Sequence, residues 1–222
     1  VDLNTRSLPY IQHHQVAGSI LFPGSGYVEL GLSLASHLKG FSVSDGVGVT
    51  LEGIEFLAPA QALQDEVTIL QAKPDTENQS FKVFYQRGDS QPTVCAQGRY
   101  FSAGRKPTAI QLSVLKDSFE ESWDKETLYE SLKARGLVYG PDFQAVEEIK
   151  LKAGEVLADI QLPAGINSEG YFLHPIMLDA ALHSLIASDT NNEAQYDIVP
   201  MGIKRIQWFG QVSDNLVAHG RI

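Results

Sequence analysis

Apolar residues recur through YVELGLSLASHL at residues 27–38: Leu30, Leu34 and Leu38 form one row, and Val28 and Leu32 widen it. That spacing predicts a helix with little polar surface, which must be wrapped by other elements. Ser25 reads as its N-cap, residues 7–12 as a short extended lead-in, and PGSG at 23–26 as the loop between them. Four alternating, β-branched or aromatic runs follow at 47–59, 66–74, 80–88 and 93–101, punctuated by Pro, Gly and Asp, and predict an antiparallel meander. Residues 102–117 have no clean period and read as a connector. The outline then repeats: an amphipathic helix at 123–136 closed by Gly136, a strand pair at 145–163 turning at Ala153 and Gly154, and an apolar helix at 174–188 with Pro175 in its first turn. Strands are expected again at 199–210 and 215–222. The pattern predicts an α+β chain of two halves, 1–101 and 118–222, each an antiparallel sheet around a long apolar helix.

With 222 residues, 43% of them hydrophobic and 20% charged, the chain is long and apolar enough for a sizeable core. The formal net charge of -10 is the wrong sign for gripping phosphate backbones, which argues against a nucleic-acid partner. The single cysteine, Cys95, rules out an internal disulfide and fits a reducing, cytoplasmic setting. The absence of a signal-like start or a membrane-length apolar run argues against a membrane partner. Both ends read as cut, NLVAHGRI alternating like a strand and stopping without a turn, so a longer parent chain is expected.

Three clusters carry candidate chemistry. His14, Gly18 and Pro23 stand as His-x3-Gly-x4-Pro in HQVAGSILFP, a spacing that 6 His, 19 Gly and 10 Pro would produce by chance far less than once. Asp179 and His183 in LDAALHS lie one helical turn apart on one face, so the imidazole can orient the carboxyl. Asp179 is flanked by Ile176, Met177, Leu178, Ala180, Ala181 and Leu182, surroundings expected to raise its pKa and let it hold a proton. GLVYGPDF presents Tyr139 on a tight turn. His14, His174, Asp179 and His183 lack the close pairing of zinc ligands, and no metal is expected. Ser25 lacks the glycine spacing of a nucleophile elbow.

Taken in order, HQVAGSILFPGSGYVEL, LVYGPDF and HPIMLDAALHS resemble the dehydratase domain of modular polyketide synthases, related to the fatty acid synthase dehydratases. The likeness spans residues 8 to about 209. It implies a double hotdog fold and elimination of water from a 3-hydroxyacyl thioester, giving the α,β-unsaturated thioester during polyketide assembly. The family's catalytic base falls on His14 and its acid on Asp179, with His183 one turn later. Pro23 closes the first motif, Tyr139, Gly140 and Pro141 form the Tyr-Gly-Pro turn, and Pro200 stands in the VPMGI stretch that lines the acyl tunnel. His13 stands where the family often has Asp. A first hairpin and closing strands are expected to be missing.

The Gly18 N–H is expected to bind the thioester oxygen. No cofactor is expected on the domain itself, because the substrate rides on the phosphopantetheine of an acyl carrier protein. The implied partners are that carrier, neighbouring synthase domains and a second copy in a homodimer. Lys204 and Arg205 are candidates for a local basic patch facing an acidic carrier. The same residues also suit a double-bond-shifting isomerase or a dehydrating cyclase, and the scaffold suits a non-catalytic acyl binder. A thioesterase fits less well, since Asp179 is better placed to protonate a hydroxyl than to activate water.

Overall fold

The computed structural model describes residues 1–4, 6–39, 48–62, 68–188, 200–210 and 212–221. Parts of the expected strands at 47, 66–67, 199 and 222 therefore lie outside the described residues. The chain runs through a 3-10 turn (Pro9–His13), β1 (His14–Val16), β2 (Ser19–Ile20) and α1 (Gly24–Lys39). The meander follows as β3 (Val49–Phe56), β4 (Thr68–Asp75), β5 (Ser80–Arg87) and β6 (Thr93–Ser102). The later elements are α2 (Leu112–Lys116), β7 (Glu121–Asp124), α3 (Lys125–Ala134), β8 (Leu137–Tyr139), β9 (Val146–Lys152), β10 (Glu155–Gln161), α4 (Pro175–Ser188), β11 (Gly202–Trp208) and β12 (Asn215–Arg221).

Several local expectations change in detail. Pro9 starts a 3-10 turn where an extended lead-in was expected. The connector contains the short helix α2, whose Lys116 ion-pairs with Asp159 at 2.8 Å. The helix expected from Trp123 begins only at Lys125, because Asp124 accepts the Thr127 N–H at 2.9 Å and Trp123, in β7, pairs with Ile149 of β9. Its last turn closes at Gly136, which takes φ +82°.

Among the described residues the strands form three sheets, and two of them join parts of the chain far apart in sequence. The five-stranded sheet has the order β11-β3-β6-β5-β4, so β11 reaches back to pair with β3. The four-stranded sheet is β12-β10-β9-β7, and a small sheet, β2-β1-β8, sets β1 against β8 with His14 opposite Tyr139. The connector at 102–117 is thus no boundary between sheets.

Each larger sheet covers one apolar helix. Val28 and Leu32 of α1 are fully buried in a cluster with Leu51, Ile54 and Phe81, while Ile176, Met177 and Ala180 of α4 are buried with Val146, Ile149 and Val156. Burying side chains of this size stabilises by roughly 1.5–3 kcal/mol each. It also fixes which face of α1 and α4 meets the other half.

Candidate active site

The His-x3-Gly-x4-Pro spacing has a local structural meaning. Ala17 and Gly18 both take positive φ, +48° and +76°, and make the two-residue turn joining β1 to β2. That turn favours glycine and brings Leu21 back opposite His14. The Leu21 N–H donates to the His14 carbonyl at 3.2 Å, and His14 Nδ1 lies 2.8 Å from the Leu21 carbonyl. A carbonyl only accepts, so Nδ1 carries the proton and the Nε2 lone pair is left free. Pro23, buried, then leads into α1.

The free Nε2 lies 3.8 Å from Asp179 Oδ2 across the join between the halves. Both side chains are buried, at 7% exposure each. His183 Nε2 is 2.7 Å from the same carboxylate oxygen, and the Ser25 hydroxyl faces the other at 3.5 Å. His183 Nδ1 is buried without a hydrogen-bond partner, which suits the neutral tautomer that donates from Nε2 to Asp179. The Tyr139 ring lies on His183 with centroids 3.8 Å apart, and Phe143 packs on His14 at 5.0 Å. His14, Asp179, His183 and Tyr139 line a largely apolar cavity of about 350 Å³, with Phe22, Gly24 and Tyr27 among its walls. Pro200, Met201 and Leu57 also line it, and all three are exposed, Met201 by 75% and Leu57 by 51%.

The electrostatics correct one expectation. Burial pushes Asp179 up, as its apolar flanks suggested, but the His183 and His14 imidazoles and the Ser25 hydroxyl push it further down, leaving it below the ordinary carboxylate range. His14 is pushed down by burial, only partly offset by the Asp179 charge and the Leu21 carbonyl, so it is neutral at pH 7. Burial raises Tyr139, helped by the Asp179 charge, so its hydroxyl keeps its proton as a donor.

His14, Asp179, His183, Tyr139 and Pro200 come together around the cavity. Gly18 does not: it sits exposed at the hairpin tip, and the glycine that lines the cavity is Gly24 at the start of α1. Gly140 and Pro141 act from outside the lining. The Gly140 N–H donates to the His13 carbonyl at 2.8 Å, and a Cβ on Gly140 would lie 2.7 Å from the His13 Cβ, so only glycine lets this turn close on the residue before His14. Pro141 starts the 3-10 turn Pro141–Phe143, and Asp142 within it lies 2.8 Å from His13 Nδ1. Ser25, expected to be the N-cap, lies inside the first turn of α1 and faces Asp179. A hydroxyl between two glycines at a helix start was the available signal.

The family pattern described as "Polyketide synthase dehydratase N-terminal domain" matches residues 107–222, and that described as "Polyketide synthase dehydratase domain" matches residues 1–86. The chain belongs to the polyketide synthase dehydratases. The CurK dehydratase of the curacin polyketide synthase, solved as an aspartate-to-asparagine inactive mutant, superposes with a TM-score of 0.87 at 26% identity, over 100% of this chain and 80% of that one. Its histidine-to-phenylalanine inactive mutant gives 0.85, also at 26% identity, over 100% and 79%. The dehydratase fold here is the α+β double hotdog.

Among multidomain relatives, mycoketide-CoA synthase of Mycobacterium tuberculosis is 30% identical over 87% of this dehydratase chain and 5% of its own length. The phenolphthiocerol synthesis polyketide synthase Pks15/1 of Mycobacterium marinum is 29% identical over 86% and 9%. The chain thus spans less than a tenth of either relative. No helix among the described residues is long and apolar enough to cross a membrane.

Next to the dehydratase site, two buried groups tie stability to pH. His174 accepts the Ile176 N–H on Nδ1 at the start of α4, and burial pushes its pKa down to about 4. The unfolded chain protonates this group near pH 6.5, so stability on the order of 3 kcal/mol, present above pH 6.5, is lost as pH falls towards 4. Glu29 acts in the opposite sense. Burial raises it to about 7 against the N–H groups of Leu173 and Phe172, so its contribution is present below about pH 4.5 and lost as pH rises to 7. His174→Asn keeps an acceptor for the Ile176 N–H and is expected to flatten the acid-side loss. Urea midpoints at pH 7 and pH 5 measure this, and an equal drop in wild type and variant would remove His174 as its cause.

Proposed function

We propose that this domain removes water from a 3-hydroxyacyl thioester presented on the phosphopantetheine arm of an acyl carrier protein, giving the α,β-unsaturated thioester. The observation that carries the reading is the free His14 Nε2 facing the Asp179 carboxyl at 3.8 Å inside an apolar cavity, one group from each half of the chain. His14 takes the Cα proton, the bond from Cβ to the hydroxyl oxygen breaks, and the leaving hydroxide departs as water with the proton of Asp179. The proton on His14 returns to Asp179 across the short gap, so acid and base are restored without a cofactor. A base and an acid on adjacent substrate carbons contribute roughly 10² to 10⁴ in rate each.

Because the two groups interact so closely, they titrate as a pair. The competent form has neutral His14 and protonated Asp179, a minor arrangement of the pair at pH 7, where the lowered Asp179 is mostly ionised. His183 orients the carboxyl, Tyr139 offers a donor, and the backbone of Gly24, which lines the cavity at the α1 N-terminus, receives the thioester oxygen in this reading in place of Gly18. For the carrier, Lys204 is exposed, whereas the Arg205 guanidinium is engaged by Glu52 at 2.8 Å. Lys204 is the better candidate of the two.

Mass spectrometry of carrier-bound 3-hydroxyacyl thioesters of several chain lengths tests the reaction. Loss of one water is expected. Unchanged mass across the panel would leave a double-bond-shifting or an acyl-binding role in its place.

A further inference from the structure

α1 is apolar along most of its length, yet it buries Glu29, 7% exposed, one turn after Ser25. The two carboxylate oxygens of Glu29 are used separately. Oε1 accepts the N–H of Phe172 at 3.0 Å and Oε2 accepts the N–H of Leu173 at 2.9 Å, both from the other half of the chain. Phe172 is also held from a third side. Its carbonyl accepts the Trp208 Nε1–H at 3.1 Å, and its ring meets the indole edge to face at 4.9 Å. Immediately after this clamped pair, His174 caps α4, whose next turns present Asp179 and His183.

The geometry assigns to Glu29 the role of a positioning residue: its carboxylate fixes the segment that launches α4, and with Ser25 it sets where Asp179 stands relative to His14. Residues 25 and 29 lie on one face of α1, so one turn of helix carries both contacts to the α4 side. In its ionised form, which predominates above about pH 7, the carboxylate suits the task because it accepts at both oxygens and donates at neither. A glutamine has the same shape but must turn its NH₂ towards one of the two N–H groups, leaving a buried donor facing a donor. Glu29 is absent from the cavity lining and acts through Asp179.

The kinetic arm of the test rests on the dehydration reading above; the structural arm does not. In the full 222-residue chain, Glu29→Gln is expected to lower kcat roughly 10- to 100-fold, the cost of a catalytic group displaced by about an ångström, with KM for a soluble thioester within about twofold. Amide exchange at Phe172 and Leu173 is expected to speed up, and the NMR signal of the His183 Nε2 proton to move. Glu29→Asp keeps the charge on a shorter arm and should fall between wild type and Gln, which settles the matter if the Gln variant does not fold.

A lower Tm with unchanged kcat, unchanged exchange at the two amides and an unmoved His183 signal would reduce Glu29 to a structural contact and overturn the proposal. If wild type turns over no thioester, the dehydration reading fails by itself. The exchange rates and the His183 signal then decide the positioning role: movement supports it and constancy overturns it.

Discussion

His14→Ala is expected to lower turnover of a 3-hydroxyacyl thioester by about 10² to 10⁴ while leaving thioester binding and the fold in place. The imidazole is the free base facing the cavity, with its other nitrogen committed to Leu21. Its removal therefore takes away the proton acceptor and leaves the apolar walls that hold the acyl chain. The backbone hydrogen bond from Leu21 to the carbonyl of residue 14 survives the substitution, so the hairpin should persist. Single-turnover kinetics with a binding assay on the same sample checks this. Loss of binding in parallel with loss of turnover would assign His14 to substrate capture instead.

Asp179→Asn is expected to cost a similar factor, with an added signature in pH. An asparagine can still accept from His183 Nε2 through its carbonyl oxygen, so the buried contact at 2.7 Å has a near-isosteric replacement and the helix should be kept. The amide holds no transferable proton. In wild type the competent pair holds one proton, so kcat/KM should fall on the acid side as the pair takes up a second and on the alkaline side as it loses the first. In Asp179→Asn the alkaline fall of the residual rate should disappear while the acid fall remains. Because burial holds His14 below its ordinary value, the acid limb should lie below pH 6.5. A variant that keeps both limbs would place the acid elsewhere in the cavity.

The correction at Asp179 shows how far sequence pattern reaches into a site. Its apolar flanks correctly place it on a buried helix face, where desolvation alone raises a carboxyl. The opposing influences come from His183 on the same helix, from His14 on the neighbouring sheet and from Ser25 on α1. Of these only His183, four residues away, is visible in a local pattern. Glu29 left a trace of the same kind, an acid inside an otherwise apolar stripe, but its partners at 172 and 173 are more than 140 residues distant. Gly18 illustrates the reverse. The glycine in the motif is explained by the positive φ of a hairpin turn, a local requirement, while the backbone that lines the cavity belongs to Gly24, where α1 happens to point.

By itself the sequence determined the elements whose causes are local: the apolar stripes of α1 and α4, the β9–β10 turn at Ala153 and Gly154, and the inventory of His14, Tyr139, Asp179 and His183. Side-chain periodicity and turn chemistry act over a few residues, so they can be read along the chain. The tertiary structure alone decided that β11 joins β3, that β8 pairs with β1 to bring Tyr139 opposite His14, and that the imidazoles and hydroxyl around Asp179 outweigh its burial. Those outcomes depend on contacts closed over long loops and on the mutual distances of buried groups, which follow from how the two helices pack and from no pattern within either half.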